Sequence, residues 1–333
     1  MALPGSSMTL RDAAVNFGGM SAGEKVLINL LSQSNGMMDR LPWRQGNMDT
    51  GERFRVVVGQ PGVSYRSINE GVVPTRGTRN VVTETCSLFE SVSEIDKELV
   101  DIAPDKAIYR LEESAAHIES MGNNVAAEVW YGNRAADPRG IFGLSERYSN
   151  LSGLAADYII DAKGTGSDNA SVWILGLGDR GLHGIYPKNT RMGLEHNASG
   201  VIDLTDPENG GTYQGYRDRF KFRAGLALKD YRQCVRICNI DVNDLLTYGT
   251  ASDTAAKIYQ LLIRASNRLR NPNTVNIAIF MNRTLKEAWE IQLTDKSNLA
   301  LTFDSATGKI ATSFRGWPIV VDDNLLNTEE RVA

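Results

Sequence analysis

Residues 49–82, DTGERFRVVVGQPGVSYRSINEGVVPTRGTRNVV, set the tightest limit on what this chain can fold into. β-favouring patches at 54–58, 63–68 and 72–73 alternate with Gly59, Pro61-Gly62, Gly71, Pro74 and Gly77, which favours long irregular hairpin arms over helix. An isolated two-stranded hairpin is marginal in water, and a structureless loop of this length is unusual inside a compact domain. The segment therefore needs a surface other than its own to lie on.

The charge around it is uneven. Arg40, Arg44, Arg53, Arg55, Arg66, Arg76 and Arg79 meet few acids, and directly afterwards Glu84, Glu90, Glu94, Asp96, Glu98, Asp101, Asp105, Glu112 and Glu113 outnumber Lys97, Lys106 and Arg110. A basic arm followed by an acidic face suits head-to-tail association of copies. Arg53, Arg55, Arg66, Arg76 and Arg79 would lie on one side of such a contact, and Glu90, Glu94, Glu98 and Asp101 on the other. Two solvated faces of a monomer fit the same charges.

From Pro104 the pattern becomes a long helix over 105–132, with Ile108, Leu111, Ala115, Ile118, Met121, Val125 and Val129 at three- and four-residue steps as its expected apolar face. Asp105 suits the N-terminal end and Gly132 the stop, while Gly122-Asn123-Asn124 should weaken or bend the middle. The first 48 residues carry one amphipathic stretch at 24–31 and read as an arm. After a turn-rich loop at 133–144 the chain leans to β: Tyr158-Ile159-Ile160, residues 171–175, Gly184-Ile185-Tyr186, and a strand pair over 219–239 turning at Leu228-Lys229-Asp230. A helix at 253–269, capped by Ser252 or Asp253, buries Ile258, Leu261, Leu262, Ala265 and Leu269. A strand at 275–281, a helix begun at Asn282, a hairpin turning at 304–308 and a strand at 317–321 follow.

Several function classes lose support. The chain has 333 residues, 42% of them hydrophobic, enough for a sizeable core. With Lys and Arg at 36 against Asp and Glu at 40, no basic excess recommends nucleic acid as the main partner. No apolar run approaches the roughly 20 residues that span a bilayer, and the N-terminus lacks a basic start and an apolar h-region, so cytosolic residence is expected. Cys86, Cys234 and Cys238 read as free thiols; no His or further Cys completes a zinc set beside the last two. His117, His183 and His196 form no ligand pattern, and no metal or cofactor is expected. Asp161 with Asp168, and Asp203 with Asp206 and Glu208, lack full calcium spacing and fit turns and caps. The tryptophans offer no stacking platform. One enzyme signal remains: Gly176, Gly178 and Gly181 spell G-x-G-x-x-G after a strand, the mark of a Rossmann-type nucleotide site. Gly184, Pro187 and Gly193 break any following helix, and no acidic residue stands where a ribose would want one.

An arm, a glycine-punctuated β extension, a long spine helix and a turn-rich loop, in that order, resemble the HK97-like major capsid proteins of tailed bacteriophages. The words are closer to the capsids of short-tailed phages of the epsilon15 and BPP-1 kind. Residues 49–58 and 71–84, 103–130, YGNRAADPRGIFGL at 131–144, 220–241, and FRGWPIVVDD at 314–323 carry the resemblance across nearly the whole chain. It implies an α+β fold with an N-terminal arm at 1–48, an extended loop at 49–90, a peripheral domain at 91–250 with its spine at about 103–131, an axial domain at 251–327 and a tail at 328–333. In the usual family order the segment like 275–323 precedes the one like VWILGLGDRGLHGIYP. Here the two are exchanged, which suggests a permuted topology. The resemblance further implies a non-enzymatic shell subunit. It would assemble in the host bacterial cytoplasm into the pentamers and hexamers of an icosahedral head. Separate scaffolding and portal proteins, a decoration or cement protein, and packaged double-stranded DNA touched weakly on the inner surface would be its partners. A ring-forming connector or tail protein shares the oligomer logic.

Overall fold

The computed structural model describes residues 35–153, 155–206, 210–245, 256–270, 272–294 and 313–332. The expected helix at 24–31, the residues Ser252 and Asp253 and the turn at 304–308 lie outside the described residues; the helix expected from 253 begins only at Ile258, with Lys257 at its N-cap. Two compact units emerge: one from Leu88–Asn124 and Gly193–Phe222, the other from the described residues of Gln33–Ser87, Val125–Met192 and Arg223–Ala333.

The chain opens with α1 (Gly36–Arg40), β1 (Trp43–Gln45) and an antiparallel hairpin of β2 (Gly51–Gly59) and β3 (Thr78–Thr85), which forms a sheet of its own. Phe54 and the valines after it favour strand, and Gly59, Pro61 and Gly62 end it. Residues 60–77 then run without helix or strand, so the patches at 63–68 and 72–73 are not strands. Next come β4 (Ser87–Asp96) and α2 (Lys97–Ile102), where the Glu98 N–H donates to Asp96 Oδ1 at 2.8 Å as an N-cap.

The spine is α3 (Lys106–Tyr131), 26 residues or roughly 40 Å long. Asp105 Oδ1 accepts from the Ala107 and Ile108 N–H groups at 3.0 and 3.2 Å. Gly122-Asn123-Asn124 does not interrupt the helix. Gly132 ends it by allowing a close approach: a Cβ there would meet the Ile141 carbonyl oxygen at 2.3 Å, and the Gly143 N–H donates to the Gly132 carbonyl at 2.8 Å. The turn-rich loop thus folds back on the helix end and delivers α4 (Leu144–Arg147).

The remaining elements are β5 (Ile159–Asp161), β6 (Asn169–Leu177), β7 (Leu182–Tyr186), β8 (Glu195–Thr205), β9 (Thr212–Leu228), β10 (Cys234–Asp241), α5 (Val242–Leu245), α6 (Ile258–Arg268), β11 (Asn276–Met281), α7 (Arg283–Thr294), β12 (Ser313–Phe314) and β13 (Trp317–Val321). In the larger unit β6, buried throughout, runs antiparallel to both β10 and β11, and β11 pairs in parallel with β13. The Asn282 Oδ1 cap accepts from the Leu285 N–H at 2.8 Å and starts α7. Trp130, Tyr148, Trp173 and Phe280 meet at ring separations of 5.7–5.9 Å in the core.

The expected pair over 219–239 forms differently. β9 pairs with β7 and β8 and β10 pairs with β5 and β6, because β6 offers β10 a fully buried apolar neighbour that a hairpin would not. Strands from 159–177 and 234–241 share a sheet with those from 276–321.

In the smaller unit β4 and β8 flank β9, and Ile95, Val100, Ala103 and Tyr109 form a small core with Leu99 and Tyr216. Among the described residues no helix is long and apolar enough to cross a membrane.

Candidate assembly surfaces

The extension buries little of itself. Val57, Val58, Val63, Tyr65, Ile68, Val72, Val73 and Val81 are all exposed. Arg53, Arg55, Arg66, Arg76 and Arg79 are exposed as well, and among the described residues none of them makes an ion pair. Arg53 Nε donates to Thr83 Oγ1 at 3.2 Å and Arg66 Nε to the Glu70 carbonyl at 2.7 Å, contacts internal to the loop.

The acids are situated differently from one another. Glu90 pairs with Arg219 at 3.1 Å and lies 3.9 Å from Lys221; Glu94 pairs with Arg217 at 2.7 Å; Asp101 pairs with Lys106 at 2.5 Å. The Lys106 hydrogen bond, set against a small opposing effect of desolvation and helped by nearby positive charge, holds the Asp101 carboxyl below its ordinary value. Of the four expected acids only Glu98 has no ion-pair partner among the described residues. β9, with basic residues at every second position from Arg217 to Lys221, neutralises much of this face from within the chain.

Glu84 belongs to another feature. It is buried at the root of the hairpin, where Arg147 Nη1 and Nη2 donate to its two oxygens at 2.6 and 3.0 Å. Directly across the hairpin from Glu84 stands Glu52, which accepts from Lys229 Nζ at 2.8 Å and His183 Nε2 at 2.9 Å. Burial pushes the Glu52 carboxyl up, but these hydrogen bonds and charges outweigh it and hold the carboxyl below its ordinary value.

The first half of the spine also presents a surface. One face of α3 is used within the smaller unit: Tyr109 is buried, Arg110 pairs with Asp218 at 3.0 Å, and His117 Nδ1 lies 2.7 Å from Ser91 Oγ. On the opposite face Ile108, Leu111 and Ile118 are 50%, 69% and 42% exposed, and Ala115 is exposed between them. The expected apolar stripe is therefore core only from Met121 onward, where Met121, Val125 and Val129 are buried. Up to Ile118 the helix has its polar side, not its apolar one, against the sheet, because Arg110 finds a buried partner in Asp218 and His117 a half-buried one in Ser91.

A family model, that of the major capsid protein GP7, matches residues 21–333. The chain belongs to this capsid protein family. It is also similar to the capsid chain in the cryo-EM structure of bacteriophage epsilon15, at 25% identity over 100% of this chain and 99% of that one, with a TM-score of 0.74. The encapsulin of Synechococcus elongatus (13% identity, 70% and 96% coverage, TM-score 0.45) and the capsid of a native GTA particle (9%, 69% and 99%, 0.46) align more loosely. No curated protein sequence matches the chain. The expected α+β, HK97-like capsid fold is the fold found.

The capsid protein's glycine motif now has a structural account. Gly178 and Gly181 make the tight turn from β6 directly into β7; the Gly181 N–H donates to the Gly178 carbonyl at 3.1 Å, and a Cβ on Gly181 would meet the Gly176 carbonyl oxygen at 2.2 Å. No helix opens at the third glycine, so the Rossmann reading is overturned, and the family match overturns the connector reading. Sequence reasoning missed the Glu52 and Glu84 anchors and the exposed stripe. A pair of glutamates flanking an arginine-rich hairpin was the only signal for the first.

Proposed function

We propose that copies of this capsid protein assemble into the pentamers and hexamers of an icosahedral phage head around double-stranded DNA. Each subunit's extension would lie on a neighbouring copy. The observation that carries this is the state of residues 60–77, which have no regular structure and hold apolar side chains in solvent. A few hundred Å² of exposed apolar surface on one segment marks an interaction site, and wrapped arms are typical of obligate assemblies with large buried areas. Arg53, Arg55, Arg66, Arg76 and Arg79 would contact the neighbour. Glu98 is the best placed of the expected acids to meet them, since Glu90, Glu94 and Asp101 already have partners in the chain.

The role is structural, association without turnover, in the virion, after assembly in the host cytoplasm with separate scaffolding and portal proteins and in some heads a cement protein. The extended loop comprises 49–90. Because β5, β6 and β10 share a sheet with β11 and β13, an axial domain of 251–327 would draw in residues 159–177 and 234–241 as well. Such an interleaving is what a permuted chain path would produce.

Electron microscopy of the protein expressed with its assembly factors tests the reading. Closed icosahedral shells are expected, and monomeric particles alone would overturn it. Deleting residues 55–80 should abolish shells while leaving the folded circular-dichroism signal; a deletion that still closes shells excludes the loop from assembly.

A further inference from the structure

Glu52 and Glu84 stand directly opposite each other in the β2–β3 register, so their side chains share one face of the hairpin. Like charges placed this way destabilise an antiparallel pair. Both are largely withdrawn from water, with side chains 14% and 5% exposed. The hairpin tolerates them because the rest of the same unit supplies separate hydrogen-bonding partners, each including a cation, to the two carboxylates. Glu84 receives the planar fork of Arg147 from α4, whose guanidinium also donates to the Phe142 carbonyl at 3.0 Å and the Leu226 carbonyl at 3.3 Å and lies over the Phe142 ring. Glu52 receives Lys229 and His183, from beyond the end of β9 and from β7.

Buried ion pairs are poor sources of net stability compared with apolar packing, but they accept few geometries. Here they sit at the root of a lever. β2 has nine residues and so reaches roughly 30 Å, and a tilt of about 10° at its root would move its far end by about 5 Å. We propose that Glu52 and Glu84 are positioning residues for assembly: two pins, held by His183 with Lys229 and by Arg147, that fix the direction in which the extension leaves the subunit. Any other direction leaves two carboxylates facing each other without cations. The inference rests on the reading of the extension as an assembly arm, and it adds that the arm's angle is set inside the subunit before a neighbour arrives.

The test compares particle diameters by electron microscopy for wild type, the double variant Glu52→Gln/Glu84→Gln and Arg147→Lys, each co-expressed with the phage assembly factors. Glutamine keeps shape and removes the repulsion that enforces direction; lysine keeps the charge and loses the fork. Both should retain the folded circular-dichroism signal and lose shells of wild-type diameter in favour of open sheets and mis-sized particles. A contact that merely stabilised the subunit would lower the yield of shells without changing their diameter. Wild-type diameters in a folded variant overturn the proposal, and Arg147→Lys carries the test alone should the double variant fail to fold. Running the 55–80 deletion in parallel separates the two claims. If it still closes shells, the assembly-arm reading fails; if the deletion abolishes shells while both variants keep wild-type diameters, the pins alone are wrong.

Discussion

Substituting Leu111 decides between two meanings of the same apolar stripe. If Leu111 were core, Leu111→Ala would cost the subunit about 2–5 kcal/mol and Leu111→Asp more. The structure gives a different figure. With Leu111 69% exposed and Ile108 and Ile118 about half exposed, the subunit has already gained only part of the roughly 1.5–3 kcal/mol available from burying each side chain. About 1 kcal/mol per side chain is still to be gained when another surface covers it, hence about 3 kcal/mol for the three. At about 1.4 kcal/mol per tenfold, that is a change of roughly two orders of magnitude in the association constant of one contact. The triple variant Ile108→Ser/Leu111→Ser/Ile118→Ser should therefore keep its thermal midpoint within a few degrees of wild type, while light scattering shows its threshold concentration for assembly raised sharply. Because Glu90, Glu94 and Asp101 are already paired in the chain, wild-type assembly should weaken only modestly on raising salt. A triple variant that assembles normally refutes the docking role of the stripe, and one that unfolds shows it to be core.

Other regions give further expectations. Two residues of the segment expected as a tail at 328–333 are held inward: Glu329 pairs with Arg236 at 2.9 Å, both buried, and also accepts from Tyr131 and Ser171, while Val332 and Asn239 exchange two hydrogen bonds at 2.9 Å. Glu329→Ala leaves a buried guanidinium uncompensated and should lower stability by about 3–5 kcal/mol in guanidinium unfolding; Arg236→Met/Glu329→Met should cost less, and equal losses would discount the ion pair. At the hairpin root, the lowered Glu52 carboxyl contributes stability that is fully present above its ordinary value, near pH 4, and is lost as pH falls through the lowered folded value. Hydrogen-exchange protection factors in β2 and β3, corrected for the intrinsic rate, should accordingly fall at acid pH in wild type and not in Glu52→Gln, and identical profiles would show that Glu52 does not govern the root.

The elements whose sequence carries its own punctuation were legible. The hairpin ends at its glycines and prolines, α3 begins after Asp105 and ends before Gly132, and α7 starts at the Asn282 cap, each within a residue or two of expectation. β4 and β8 were not legible. In β8 nine of its eleven residues are exposed, so no alternation marks it, and what makes it a strand is its pairing with β9. The same holds for β9 and β10, neighbours in sequence but not in the sheet, because β6 offers β10 the better partner.

The spine shows why the candidate site was harder to see than the fold. From Ile108 to Val129 its apolar residues keep one period, and a period says that a face will be covered without saying by what. The second half meets Trp173 and Phe280 through Trp130 and becomes core. In the first half the sheet side is taken by Arg110 with Asp218 and His117 with Ser91, so the apolar side turns to solvent. Nothing in residues 106–120 alone distinguishes these outcomes; the distinction lies in Asp218, about a hundred positions downstream, buried where it can hold Arg110. A shell subunit needs such faces, apolar enough to bind a second copy and yet left uncovered by its own chain. The polar anchors that orient a helix away from its own core are therefore the features from which an assembly surface can be inferred.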